Sequence, residues 1–147
     1  MTNILNKKRK KKGFTLIELV IVLAVLAIIA LIAIPNFTKV RNDSLAKSDK
    51  ETANQIRKIA LMAIADGDIA PATANYTVEF VDGKYSKLSG ASVTDDNDVN
   101  EMMQEVKKPQ VNGKEKYLIK VAADGSVSVG YPGTVAGEFD DKGALSE

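Results

Sequence analysis

Read from the N-terminus, the hydrophobic pattern changes character three times. Residues 14–34 run FTLIELVIVLAVLAIIALIAI, interrupted only by Thr15 and Glu18, and 19–34 contain no polar side chain. A helix over this stretch would reach about 31 Å at about 1.5 Å per residue, close to the roughly 30 Å hydrocarbon core of a bilayer. It would be apolar on every face, so lipid or a thick protein core must surround it. A chain of 147 residues has no soluble core large enough to bury it, so a membrane span is predicted. Pro35 removes a backbone donor and is expected to kink or interrupt the helix. Helical spacing nevertheless resumes beyond it, which predicts one continuous rod of about fifty residues.

Beyond Pro35 the pattern becomes two-faced. Residues 36–65 contain no Gly or Pro, and Val40, Leu45, Ala53, Ile56, Ile59, Ala60, Ala63 and Ile64 recur at helical spacing. Charged residues, among them Lys39, Arg41, Asp43, Lys47, Asp49, Lys50, Glu51, Arg57 and Lys58, fill the positions between. That predicts an amphipathic helix with one face for a packed domain and Gly67 as its left-handed stop. From Pro71 the pattern turns β-rich. Strands 76–81 and 84–88 flank Asp82-Gly83, and strands 116–122 and 126–131 flank Asp124-Gly125, two hairpin signals. Together they predict a four-stranded antiparallel sheet against the amphipathic helix. Between them Asp98 is expected to cap a short helix over 99–107. The tail after Gly133 is polar and glycine-containing, and is expected to be flexible.

The fold expected is therefore α+β, a long N-terminal helix on a small antiparallel sheet. Its parts are a leader at 1–13, the apolar helix at 14–35, the amphipathic half at 36–67, and a β-rich head at 68–147.

Charge sharpens this division. Residues 7–12 read Lys-Lys-Arg-Lys-Lys-Lys, and nothing before Gly13 is acidic. A basic cluster flanking a membrane span stays on the cytoplasmic side, which places the C-terminal part outside. Without the leader, fourteen basic residues face nineteen acidic ones, a side-chain sum of −5. Nucleic acid is accordingly not an expected partner. The chain has no Cys, His or Trp, which excludes disulfides, thiolate or imidazole metal sites, and Cys or Ser-His nucleophilic chemistry. The acidic run Asp95, Asp96, Asn97, Asp98 and Asn100 departs from calcium-loop spacing at Glu101 and Lys107. It reads as a solvated loop. No cofactor, no metal and no enzymatic activity are expected.

Glu18 is the residue this arrangement does not explain. A carboxylate at the centre of a bilayer costs roughly 2.5–3.5 kcal/mol on insertion scales, and less toward the interface. Glu18 therefore needs a partner. Cleavage between Gly13 and Phe14 would create one, an α-amino group four residues away on the same helical face. In a bundle of parallel helices that partner could belong to a neighbour, where a buried pair fixes register more than it stabilises.

At these residues the sequence resembles the type IV pilin and pseudopilin family. The stretch KKKKGFTLIELVIVLAVLAIIALIAIPNF carries the prepilin signature, a Gly, an aromatic residue and a Glu at the fifth mature position, at Gly13, Phe14 and Glu18. Pro35 matches the proline these proteins carry near the end of the apolar half-helix, while Ala27 stands where many carry a helix-loosening Gly. The resemblance covers about residues 7–60. It implies cleavage after Gly13 and methylation of the Phe14 amine by a prepilin peptidase in the membrane. It further implies a helical homopolymer assembled on an inner-membrane platform, aligned by Phe14 and Glu18 and sealed by Leu16, Ile17 and Leu19, with Pro35 as the helix breaker. The implied location is a single-pass membrane protein with its N-terminus in the cytoplasm, later an extracellular fimbrium serving adhesion or twitching motility. A pseudopilin of a secretion or DNA-uptake machine is the alternative within the family. A solitary signal-anchored extracellular binding domain is the alternative outside it.

Overall fold

A computed structural model describes residues 13–69, 73–90 and 96–146. The basic cluster at 7–12, Pro71 and Asp95 lie outside the described residues. Helix α1 spans Leu16–Asp66, followed by strands β1 (Ala74–Val81) and β2 (Lys84–Gly90), helix α2 (Asp96–Met103), and strands β3 (Tyr117–Val121), β4 (Val127–Pro132) and β5 (Phe139–Ser146). The chain forms two compact units, dividing between Val40 and Arg41.

In the first unit α1 passes through Pro35 without interruption, as the helical pattern on both sides of the proline predicts. Pro35 has no N–H to give Leu31 O, one turn back. Asn36 Nδ2 donates to Ile32 O at 3.2 Å and Thr38 Oγ1 to Ile34 O at 2.7 Å, side-chain bonds to neighbouring carbonyls that do not replace the missing one.

The second unit is an α+β domain. Its sheet has the order β2-β1-β3-β4-β5 with every pairing antiparallel. Asp82 and Gly83 both take positive φ, 51° and 77°, the geometry that matches hairpin turn twist to strand twist. From α1 the residues Asp49, Ala53, Ile56, Ile59, Ala60 and Ala63 are buried. Each lies three or four positions from another of the set, so they form one stripe. Tyr76, Val78, Tyr117, Ile119, Val121, Val127 and Val129 complete one core with the apolar members of that stripe. At the helix end Gly67 has φ 89°. Gly67 N donates to Ile64 O at 3.3 Å and Asp68 N to Ala63 O at 2.9 Å, the paired closure that ends a helix on a left-handed glycine.

Three expectations change. Helix α2 begins at Asp96 and ends at Met103, so Asp98 lies in its first turn rather than capping it, where its charge complements the helix dipole. The chain then tightens through Gln104 N to Glu101 O (3.2 Å) and Val106 N to Met103 O (3.0 Å), which brings Val99, Met103 and Val106 into the core. Asp49, expected on the solvated face, is completely buried. The third change is the tail, which forms strand β5 and makes the sheet five-stranded.

Strand β5 is held by contacts that hydrophobic alternation does not register. A Cβ on Gly130 would lie 2.7 Å from Phe139 Cδ1 and 2.7 Å from Gly143 O, so the Phe139 ring fills the space left by a missing side chain. Lys120 Nζ sits 4.8 Å from the centre of that ring. At the other end of β5, Ser146 Oγ donates to Asn54 Oδ1 on α1 at 2.7 Å. Gly130→Val is expected to displace Phe139 and lower stability by about 1–3 kcal/mol, read as a shift in the urea midpoint of the micelle-solubilised protein. An unchanged midpoint would show that the glycine is not needed for β5 to dock.

Candidate functional site

The candidate site begins at the N-terminal end of α1. Gly13, Phe14 and Thr15 are exposed and lie outside the helix, so the Gly13–Phe14 peptide bond is in an open, non-helical segment. Phe14 is 88% exposed.

Helix α1 starts at Leu16 because Thr15 and Glu18 cap it reciprocally. Glu18 N donates to Thr15 Oγ1 at 3.3 Å, while Glu18 Oε2 accepts from Thr15 N at 3.0 Å and from Thr15 Oγ1 at 2.8 Å. This is a capping box, in which two otherwise unpaired backbone donors of the first turn are satisfied at once. Glu18 thus has a partner in the uncleaved chain, and the expectation that one appears only after cleavage is corrected. Thr-x-x-Glu directly before an apolar run is the sequence signal for this box, and Thr15 is the site residue that a search for charges alone passes over.

Past the cap the helix is apolar and uncovered. Leu16, Ile17 and Leu19 are 80%, 63% and 56% exposed, and Pro35 is exposed among other apolar residues. The helix is long and apolar enough to cross a membrane, with mean hydropathy 3.2 over its most apolar window, none of which is buried within the molecule. Leu16, Ile17, Glu18 and Leu19 share the first turn of α1 with Phe14 just ahead of it, whereas Pro35 lies near the end of the apolar half.

In the second unit the structure reveals a polar cluster around Asp49. Asp49 Oδ1 accepts from Gln110 N at 2.7 Å, and Oδ2 accepts from Val111 N at 3.0 Å and from Tyr131 Oη at 2.6 Å. One carboxylate thereby joins α1 to the loop before β3 and to β4. Burial, reinforced by the Asp49 bond, pushes the Tyr131 hydroxyl above the ordinary tyrosine range. Burial and the Asp49 charge do the same to Tyr117, whose ring stacks on Tyr131 at 6.0 Å.

Other features offer little chemistry. Among the described residues no group of three or more His, Cys, Asp or Glu side chains is placed to hold a metal. A cleft of about 550 Å³ beside β5 is lined by Pro132, Val135, Phe139, Lys114 and Asp140. Its lining also carries Glu138 and Asp141, and the one cation there, Lys114, has its Nζ 2.6 Å from Asp140 Oδ2.

Residues 8–34 match the family described as the prokaryotic N-terminal methylation motif. The chain is also 35% identical over 105 residues to the prepilin peptidase-dependent protein A of Clostridium perfringens (strain 13 / Type A), covering 71% of this chain and 74% of that protein. No solved structure matches the chain.

Two outcomes are expected at Asp49. Asp49→Ala leaves two part-buried N–H groups and a buried hydroxyl without their acceptor, and should lower stability by about 2–5 kcal/mol, measured by urea unfolding in micelles. The raised tyrosines act at the alkaline end. A group whose folded-state pKa is raised contributes stability that is fully present below its unfolded value, about 10 for tyrosine, and is lost as pH rises beyond it. Stability should therefore decline above that value, and less steeply in Tyr131→Phe. An equal decline in both proteins would remove Tyr131 from the account.

Proposed function

The chain belongs to the type IV pilin and pseudopilin family, and from that premise we propose that it is the structural subunit of a type IV pilus filament. It is made as a membrane-anchored prepilin, cleaved after Gly13 by a prepilin peptidase, methylated at Phe14, and polymerised through its N-terminal helix. The observation that carries this reading is the uncovered apolar half of α1 with a single carboxylate, Glu18, in its first turn.

Leu16 to Ile34 is nineteen residues, a helix of about 28 Å, matched to the bilayer that holds the subunit before use. There the Thr15 cap occupies the Glu18 carboxylate with neutral donors. Cleavage then frees the Phe14 amine, and methylation leaves that nitrogen cationic. A charge-assisted bond is roughly twice as strong as a neutral one. The ammonium of the same chain, or of a neighbour shifted along the axis, therefore competes with Thr15 for Glu18. Lipid around Leu16, Ile17 and Leu19 is replaced by identical helices, so close packing holds the fibre and the ion pair sets its register. A head-to-tail contact repeated without closure produces a filament.

The extracellular fibre, with adhesion or surface motility as its use, follows from this assignment. A pilus is favoured over a secretion pseudopilus because the folded unit is small and, among the described residues, no group is placed to hold a metal.

Glu18→Ala is expected to insert and be cleaved like the parent, yet to leave no fibre in the sheared surface fraction. Fibres of normal yield from that variant would contradict the register role, and loss of cleavage would move Glu18 from assembly to processing.

A further inference from the structure

The loop that clasps Asp49 also carries a reactive dipeptide. Val111 to Lys114 is a turn closed by Lys114 N donating to Val111 O at 3.2 Å. Its central residues, Asn112 and Gly113, are both exposed. Gly113 has φ 78°, a conformation suited to glycine, and no atom lies within 4 Å of where its Cβ would sit. Among the described residues no hydrogen bond engages the Gly113 N–H. Every other asparagine in the chain is followed by a residue with a side chain. Asn112 alone therefore has an unhindered, unengaged backbone nitrogen next to its side-chain amide.

We propose that Asn112 is a site of spontaneous deamidation, which places a new negative charge on this loop beside Lys142 on β5. The Gly113 nitrogen attacks Cγ of Asn112, forming an N–Cγ bond. The Cγ–Nδ2 bond breaks, and ammonia leaves carrying the proton that the Gly113 nitrogen gives up. Water then opens the resulting succinimide at either carbonyl, leaving aspartate or isoaspartate at position 112. Solvent water is the only co-reactant, and no electrons change hands.

The surroundings give the new charge a partner. Asn112 lines a cleft of about 190 Å³ with Asn42, Leu45, Ala46, Val111 and Lys142, and Lys142 is the sole cation in that lining. The product carboxylate therefore arises beside an exposed ammonium. It also arises next to the two N–H groups, of Gln110 and Val111, that hold Asp49. Deamidation would add an ion pair between the loop and the last strand. This chemistry stands apart from the filament assignment and needs only the folded chain.

The test is a prolonged incubation of the purified full-length protein in detergent micelles, in mildly alkaline buffer at physiological temperature. It is followed by peptide mapping and isoaspartate-methyltransferase labelling. The peptide spanning Asn112-Gly113 should gain one dalton and become labelled, the other asparagine peptides should stay unchanged, and Asn112→Gln should lose the label. An unmodified Asn112 after incubation, reaction only when the chain is unfolded in urea, or equal reaction at other asparagines would each overturn the proposal. For the pairing, Asn112→Asp should raise the thermal midpoint when Lys142 is present and not in a Lys142→Ala background. A shift independent of Lys142 would refute that contact.

Discussion

A single carboxylate at the start of an apolar helix constrains everything the N-terminal unit can do. Glu18 has no other charged side chain between Phe14 and Ile34 to pair with, and in lipid an unpaired charge is expelled, neutralised or bonded. Thr15 bonds it in the uncleaved chain through its backbone N–H and its hydroxyl. The same contacts satisfy the first helical turn and fix where the helix starts. The Gly13–Phe14 bond consequently sits just ahead of a capped helix, in chain that is not helical. Helix start, charge storage and the exposure of that bond are one arrangement seen from three sides.

The second unit solves the opposite problem. Its helical stripe is buried, and a carboxylate again lies at the N-terminal end of that stripe, as Asp49. Glu18 is exposed and held by its own turn, whereas Asp49 is buried and held by residues sixty or more positions away. The first geometry leaves an acid open to exchange of partners. The second satisfies a buried charge with three donors and ties helix, loop and strand into one cooperative body. Exchange suits an assembling surface, and permanence suits a domain carried along by it.

Much of this architecture was readable in the residues. The apolar run, the amphipathic stripe, the Gly67 stop and both Asp-Gly hairpins depend on local rules of period and turn chemistry, and all four occur within a few residues of where those rules put them. What escaped was non-local. Asp49 looks like any charged residue between apolar ones until Gln110, Val111 and Tyr131 close on it. Strand β5 has no hydrophobic alternation, because its docking rests on Phe139 filling the space above Gly130 and on Ser146 meeting Asn54. By contrast, the continuity of α1 through Pro35 was legible, because helical spacing resumes directly beyond it. At the candidate site the Gly, Phe and Glu were legible as a motif, while Thr15 became visible only as the other half of a hydrogen-bonded box.

The account depends on a positive charge that exists only after the leader is removed, placed to compete with Thr15 for Glu18. Mass analysis of the N-terminal peptide from fibres sheared off the cell surface tests it most directly. The account predicts a chain beginning at N-methylated Phe14. Surface fibres built from chains that still carry Lys7 to Gly13 would contradict it.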